Sequence, residues 1–180
     1  MFFIKFQSIF YTFYNSPWRD GRSCDRTSHG SRAAEPSVMF LGQFEHTLDD
    51  AGRVSLPAKY RPDLAEGVVI TRGLDRCLFL FPISQWTPLA KQISDLPLGN
   101  PTARTARRLL FSSASDIVPD RQGRILIPAY LREYANIDGQ VMIVGLNTYV
   151  ELWNVADWRR VQVQAEEEGA SVEPWKELGI

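Results

Sequence analysis

The sequence carries one domain-sized segment twice, and that duplication limits the possible folds more than any other feature. Residues 45–61 (EHTLDDAGRVSLPAKYR) and 115–132 (SDIVPDRQGRILIPAYLR) align at a shift of 71. Asp49 meets Asp120, Gly52 meets Gly123, Arg53 meets Arg124, Pro57 meets Pro128, Ala58 meets Ala129 and Arg61 meets Arg132. Residues 66–86 (EGVVITRGLDRCLFLFPISQW) and 138–158 (DGQVMIVGLNTYVELWNVADW) continue the match at a shift of 72, with Gly67, Gly73, Leu74 and Trp86 recurring as Gly139, Gly145, Leu146 and Trp158. One inserted residue between the blocks accounts for the change of shift. Two copies of so long a period exclude a solenoid and indicate tandem duplication of one small domain. A unit of this size buries too little surface to be robust alone, so the copies are expected to pack together or to oligomerise.

Each copy reads as short strands punctuated by turns and small helices. In the first, strands are expected over 44–48, 53–56, 68–71 and 77–81, with a glycine turn after the first of them. A short helix is expected over 58–64, where Pro62 threatens an interruption, and a closing helix over about 84–93. The second copy repeats the order with strands over 116–119, 124–127, 141–144 and 149–153 and a closing helix over about 156–168. TARTARRLLF, after Pro101, has helical character and connects the copies. The fold class expected is therefore mainly β with short helices (α+β), as small barrel-like units rather than a doubly wound sheet. The expected divisions are an extension over 1–38, a first unit over 39–95, a connector over 96–114 and a second unit with its C-terminal helix over 115–180.

The repeated motif is Asp-x-x-Gly-Arg, then apolar-x-apolar-Pro-Ala, then Arg. An Asp and an Arg four apart across a glycine turn can meet as a bidentate pair, which fixes the guanidinium at a hairpin edge. A two-stranded ribbon fits the DNA major groove, and Arg is the usual reader of guanine edges. On this reading Arg53 and Arg124 face bases, Arg61, Arg132 and Lys59 contact phosphates, and Asp49, Gly52, Asp120 and Gly123 shape the turns. The competing reading is that each pair only braces its turn. Arg104, Arg107 and Arg108 could line a second basic patch, or form the solvated face of the connector helix while Leu109, Leu110 and Phe111 pack inward. The CLFLF run at Cys77–Phe81 is apolar on both faces, and so is either a doubly buried strand or part of a subunit interface.

Composition narrows the alternatives. The formal net charge is −1 over 180 residues, so nucleic-acid binding would have to come from local clusters. Cys24 and Cys77 form no CxxC or Cys/His cluster, which leaves zinc and a disulfide framework without support. Asp49 and Asp120 lack the Asp-Ser/Thr-Gly pattern of paired catalytic aspartates, and each has an Arg to neutralise it. No nucleophile elbow, phosphate loop or dinucleotide fingerprint occurs, so no catalytic residue, metal or cofactor is assigned. No apolar run reaches the roughly 20 residues that span a bilayer. Residues 1–38 open with MFFIKFQSIFYTFY and turn polar, without the uninterrupted core of a signal peptide. Met39 is expected to be the initiator, with 1–38 as upstream sequence translated in frame; a natural extension is the alternative.

Together, the start MFLGQFEHTLDDAGRVSLPAKYR at Met39 and the duplicated signature at Asp49/Arg53 and Asp120/Arg124 resemble the MraZ family, from Met39 to at least Trp158. The resemblance implies two AbrB-like swapped-hairpin units packed as an intrachain pseudo-dimer. It also implies a homo-oligomeric closed ring and a cytoplasmic, nucleoid-associated regulator. Such a ring binds direct repeats in double-stranded promoter DNA of the division and cell-wall gene cluster, including its own gene. The DNA-contact role then falls on Arg53 and Arg124, with Lys59 and Arg61 as accessory contacts. Linked weak contacts across a ring would explain tight binding by a near-neutral chain. The two motifs differ at one outward position, where the first has Asp50 and the second Arg121, so Arg121 is expected to give the second motif more phosphate affinity. An AbrB-like antitoxin, or a structural ring that binds a protein partner, would be the other uses of such a chain.

Overall fold

The structure is a computed structural model and describes residues 39–169. The expectations for residues 1–38, the start at Met39 among them, and for 170–180 lie outside the described residues. The first copy runs β1 (Phe40–Thr47), β2 (Arg53–Ser55), a single 3-10 turn (Ala58–Tyr60), α1 (Arg61–Leu64), β3 (Val68–Arg72), β4 (Leu78–Pro82) and α2 (Ile83–Asp95). The connector helix α3 (Pro101–Phe111) follows, then β5 (Ser115–Ile117), β6 (Arg124–Leu126), α4 (Ala129–Tyr134), β7 (Gln140–Asn147), β8 (Tyr149–Trp153) and α5 (Val155–Gly169).

The copies interleave. Six antiparallel strands lie in the order β1-β7-β8-β4-β3-β5, and β2 pairs with β6 as a separate ribbon. The first strand of each copy thus pairs with the third strand of the other, and the two fourth strands meet at the centre. This is the expected mainly β fold with short helices, and an intrachain pseudo-dimer in its strand pairing. The large sheet is open: among the described residues β1 and β5, its two edges, do not pair, so backbone hydrogen bonds close no barrel.

Burial explains the pairing. The inward faces of the ribbon (Val54, Ile125) and of the central strands (Leu78, Leu80, Val150, Leu152, Ile143) form one core with Leu56, Ile127, Leu64 and Leu131. Each such side chain contributes roughly 1.5–3 kcal/mol of hydrophobic stabilisation. Because β2 and β6 come from different copies, that core cannot form from either copy alone. β4 is buried on both faces, which settles the reading of CLFLF. Its Phe79 and Phe81 point away from the main core into a second cluster with Tyr149, Trp86 and Phe111, covered by α2 and α3.

Local expectations fared unevenly where the partner strand or one residue decides the outcome, the start of β1 differing and the interruption at Pro62 being met. β1 begins at Phe40 rather than 44, because all eight of its residues find partners on β7. That close approach needs Gly145, where a Cβ would lie 2.4 Å from Tyr60 Oη and 2.6 Å from the Phe40 backbone. Pro62 divides the first copy's helix into a 3-10 turn and α1, whereas Glu133 at the matching place lets α4 run unbroken. The closing helix of the first copy accommodates Pro88 inside α2.

Candidate nucleic-acid interface

The two Asp-x-x-Gly-Arg segments form the same turn. Asp49 Oδ1 accepts the N–H groups of Ala51 (3.0 Å) and Arg53 (2.9 Å), and Oδ2 accepts Arg53 Nε at 2.7 Å. In the second copy Asp120 Oδ1 accepts Gln122 N and Arg124 N, both at 2.9 Å, and Oδ2 accepts Arg124 Nε at 2.8 Å. In both, the Asp carbonyl accepts the glycine N–H at 2.8 Å and the Arg carbonyl accepts the Asp N–H at 2.9 Å. Gly52 (φ +80°) and Gly123 (φ +73°) supply the left-handed conformation these closures require. The N–H groups donated by Arg53 and Arg124, ahead of any other contact, hold the Asp49 and Asp120 carboxyls below the usual carboxylate range.

The ion pair differs from the expected fork. Only Nε engages the carboxylate, because the other carboxylate oxygen is occupied by backbone N–H groups. The Nη1/Nη2 edge of Arg53 therefore donates to no other group among the described residues. Bracing the turn and presenting a two-pronged donor are accordingly one arrangement, not alternatives. Arg124 is more enclosed, with Nη1 3.8 Å from Asp49 Oδ2, so Asp49 faces both signature arginines.

The ribbon brings both turns together. Arg53 is paired with Leu126, Val54 with Ile125 and Ser55 with Arg124. Since side chains alternate along a strand, Arg53, Ser55, Arg124 and Leu126 share the outward face, opposite the buried Val54 and Ile125. Each ribbon strand then reaches the other copy's turn: Leu56 N donates to Gly123 O (2.9 Å) and Ile127 N to Gly52 O (3.0 Å).

Arg61 and Arg132 lie beneath these turns, each under the other copy's glycine. Arg61 Nε donates to Leu56 O (2.9 Å) and Arg132 Nε to Ile127 O (3.1 Å). A Cβ on Gly123 would stand 2.5 Å from Arg61 Cδ and Nε, and one on Gly52 2.9 Å from Arg132 Cζ and Nε. The two arginines thus support the turns in addition to bringing charge. A local reading misses this, although a glycine and an arginine recurring nine residues apart in both copies was a signal. Arg121 is exposed at the tip of the second turn, and Asp50 holds that place in the first.

Lys59 stands apart. Its Nζ donates to Leu41 O, at the start of β1, and lies 4.7 Å from the Phe44 ring centroid. Arg107 is tied to the C-terminal end of α2 through Ile93 O, Ser94 O and Leu96 O, and Arg104 to Leu98 O and Gly99 O. These two stitch α3 to the preceding loop rather than forming a free basic face, and Leu110 packs inward as expected. Sequence reasoning passed over two outward ribbon residues, Ser55 and Leu126, because one is small and the other looks like core; strand alternation alone identifies them.

Other titratable groups lie away from the ribbon. Burial pushes the Cys77 thiol well up, with the Glu151 and Asp75 charges adding to it, and its Sγ donates to Leu74 O (3.0 Å). Such a thiol is packing, not a nucleophile. Burial first, and the nearby Asp75 charge against the Trp153 hydrogen bond, raise Glu151 to about 7. Among the described residues no three His, Cys, Asp or Glu gather as a metal site, and no helix is long and apolar enough to cross a membrane.

Comparison with known proteins bears on the same residues. A family model described as "MraZ protein, putative antitoxin-like" matches twice, over residues 39–109 and 110–174. A transcriptional regulator MraZ of Roseiflexus castenholzii is 54% identical over 123 residues, 68% of this chain and 86% of the relative. One of Thermomicrobium roseum is 43% identical over 134 residues, 74% of this chain and 94% of the relative. One of Desulfitobacterium hafniense is 43% identical over 143 residues, 79% of this chain and the whole of the relative.

Proposed function

The chain belongs to the MraZ family of transcriptional regulators, and we propose that it regulates by binding double-stranded DNA sequence-specifically through the outward face of the β2–β6 ribbon. The observation that carries this reading is the side-on Asp–Arg pair in each turn. It fixes both guanidinium groups on one two-stranded ribbon and leaves the Arg53 fork without a partner among the described residues. A ribbon of that width enters the major groove, and a fork of that shape matches guanine O6 and N7. Around it the chain gathers five arginines (Arg53, Arg61, Arg121, Arg124, Arg132) against three aspartates (Asp49, Asp50, Asp120), a local excess of positive charge in a chain of net charge −1.

On this reading Arg53 and Arg124 face base edges. Arg121, with the outer nitrogens of Arg61 and Arg132, faces phosphates. Lys59 is the most peripheral contributor, being anchored at the start of β1. The chain acts in the cytoplasm at the nucleoid as a homo-oligomeric ring, on direct repeats upstream of its own gene and the division and cell-wall cluster. The ring supplies by avidity what one small basic face cannot. No catalytic step and no cofactor enters this function. The domain divisions that serve it are 39–95, 96–114 and 115–180, with each ribbon strand drawn from a different copy.

Equilibrium titration against duplex DNA from upstream of the gene, with scrambled duplex as control, tests the proposal. The wild type should bind selectively, with a steep salt dependence. Arg53→Ala/Arg124→Ala should abolish the selectivity while the elution volume of the assembly stays unchanged. Equal, feeble binding of both duplexes by the wild type would overturn DNA reading and favour the antitoxin or structural-ring use.

A further inference from the structure

The outward face of the ribbon holds a residue that neither the turn chemistry nor the core explains. Leu126 is 48% exposed, stands directly across from Arg53, and shares that face with Arg124 two residues earlier on its own strand. The ribbon's apolar needs are met on its other face, where Val54 and Ile125 are buried. The duplication supplies an internal control. The place that Leu126 occupies in the second copy belongs to Ser55 in the first, in an equally short strand with the same pairing. The architecture therefore accepts a small polar side chain at this place and does not require leucine.

An apolar side chain between guanidinium groups that seek hydrogen-bond acceptors has one apolar target in the major groove, the 5-methyl group of thymine. A hydroxyl such as Ser55 can pair with any base edge. We propose that Leu126 is a specificity-determining residue that packs on a thymine methyl beside the base read by Arg53, whereas Ser55 leaves the equivalent position beside Arg124 without methyl readout. The inference rests on the DNA-binding reading of the ribbon. It makes the two halves of the pseudo-symmetric ribbon read unequal sequences: one copy's arginine is accompanied by a methyl contact and the other's is not.

The test replaces each thymine of the bound upstream duplex in turn by deoxyuridine, which removes the methyl and keeps the base pair. With the full chain, one thymine per bound site should be sensitive, its replacement weakening binding about fourfold, the worth of burying one methyl group. In Leu126→Ser the same replacement should have no further effect, since the contact is already gone. Ser55→Leu, at an outward position that tolerates both side chains, should create a second sensitive thymine and decides the matter if Leu126→Ser folds poorly. No sensitive thymine for the wild type, or sensitivity that survives Leu126→Ser, overturns the inference and leaves DNA binding standing. Absence of selective binding by the wild type overturns the DNA reading itself, and the inference with it.

Discussion

The two signature turns hold their carboxylates with hydrogen bonds that agree to 0.1 Å, from 2.7 to 3.0 Å in the first and from 2.8 to 2.9 Å in the second. Apart from the signature arginines, the outward residues differ: Asp50 stands where Arg121 does, and Ser55 where Leu126 does. After duplication the two turns share every group that closes the turn from within. Those groups are the aspartate, the glycine in left-handed conformation and the arginine Nε. They differ where a side chain faces outward and owes nothing to the fold. A pseudo-dimer with two halves frees the outer face of each half to differ, because the frame is held by contacts that cross between halves.

That frame is open to direct attack. Gly123→Ala should be the most damaging single change in the ribbon. A Cβ there meets Arg61 at 2.5 Å and the residue must keep φ near +73°. Non-glycine residues in that region cost of order 1–3 kcal/mol, and displacing Arg61 also endangers its bond to Leu56 O. A loss of about 3 kcal/mol in denaturant unfolding is expected. Gly52→Ala meets the guanidinium end of Arg132 at the looser 2.9 Å, and should cost about 2 kcal/mol. Equal costs would show that backbone strain alone sets the penalty and that the arginines beneath the turns are incidental.

The copies differ again at the centre of the sheet, where Phe79 pairs directly with its own counterpart, Glu151. Burial, with the Asp75 charge, lifts that carboxyl from an ordinary 4.5 to about 7 in the folded protein, while the Trp153 and Tyr149 hydrogen bonds pull it back. Between those two values Glu151 holds its proton in the folded chain and has lost it in the unfolded one, so its contribution to stability should fall as pH rises from about 4.5 through about 7. Glu151→Gln, which still accepts from Trp153 Nε1, should abolish that decline and stabilise above pH 7 by on the order of 2 kcal/mol. Asp49 and Asp120 carry the opposite sign: their folded values are lowered, so their contribution is lost as pH falls through the acid range. Burial and Arg61 lower His46, which acts in the opposite direction in this range, so the wild type is compared with Glu151→Gln: a melting-temperature difference that stays constant from about pH 5 to 8 would sink the Glu151 prediction.

How much of this was legible depended on how local the cause was. The turn could be read from five residues because Asp49 and Arg53 meet within it, and so could Pro62 as a helix breaker. The pairing order could not. An alternating strand announces that it has a partner, not that β1's partner lies in the other copy, a hundred residues away. Arg61 and Arg132 looked like free cations because their partners are backbone carbonyls, Leu56 O and Ile127 O, and the space each fills is left open by a glycine of the other copy. Arg107 looked solvated because the carbonyls it binds end a helix that local periodicity placed too short. Glu151 was visible as a carboxylate aligned with a phenylalanine, but its burial follows only once β4 and β8 are known to meet.

The exposed tips offer the mildest contrast, since nothing in the fold depends on them. Arg121→Ala should weaken DNA binding several-fold and reduce the salt slope by about one unit, as expected for one lost phosphate contact. It should leave the choice of sequence intact, because a phosphate contact positions without specifying. Asp50→Ala should act in the other direction, raising affinity about twofold by removing an acid from the equivalent place on the first turn. The effect is small because both side chains are solvated and salt screens them. Titration of the two variants at several salt concentrations separates the possibilities. If the tips approach phosphate equally, the changes are opposite in sign and both fade as salt rises. If only Arg121 responds, the ribbon lies tilted on the duplex, with the second copy's turn toward the backbone and the first copy's turn away.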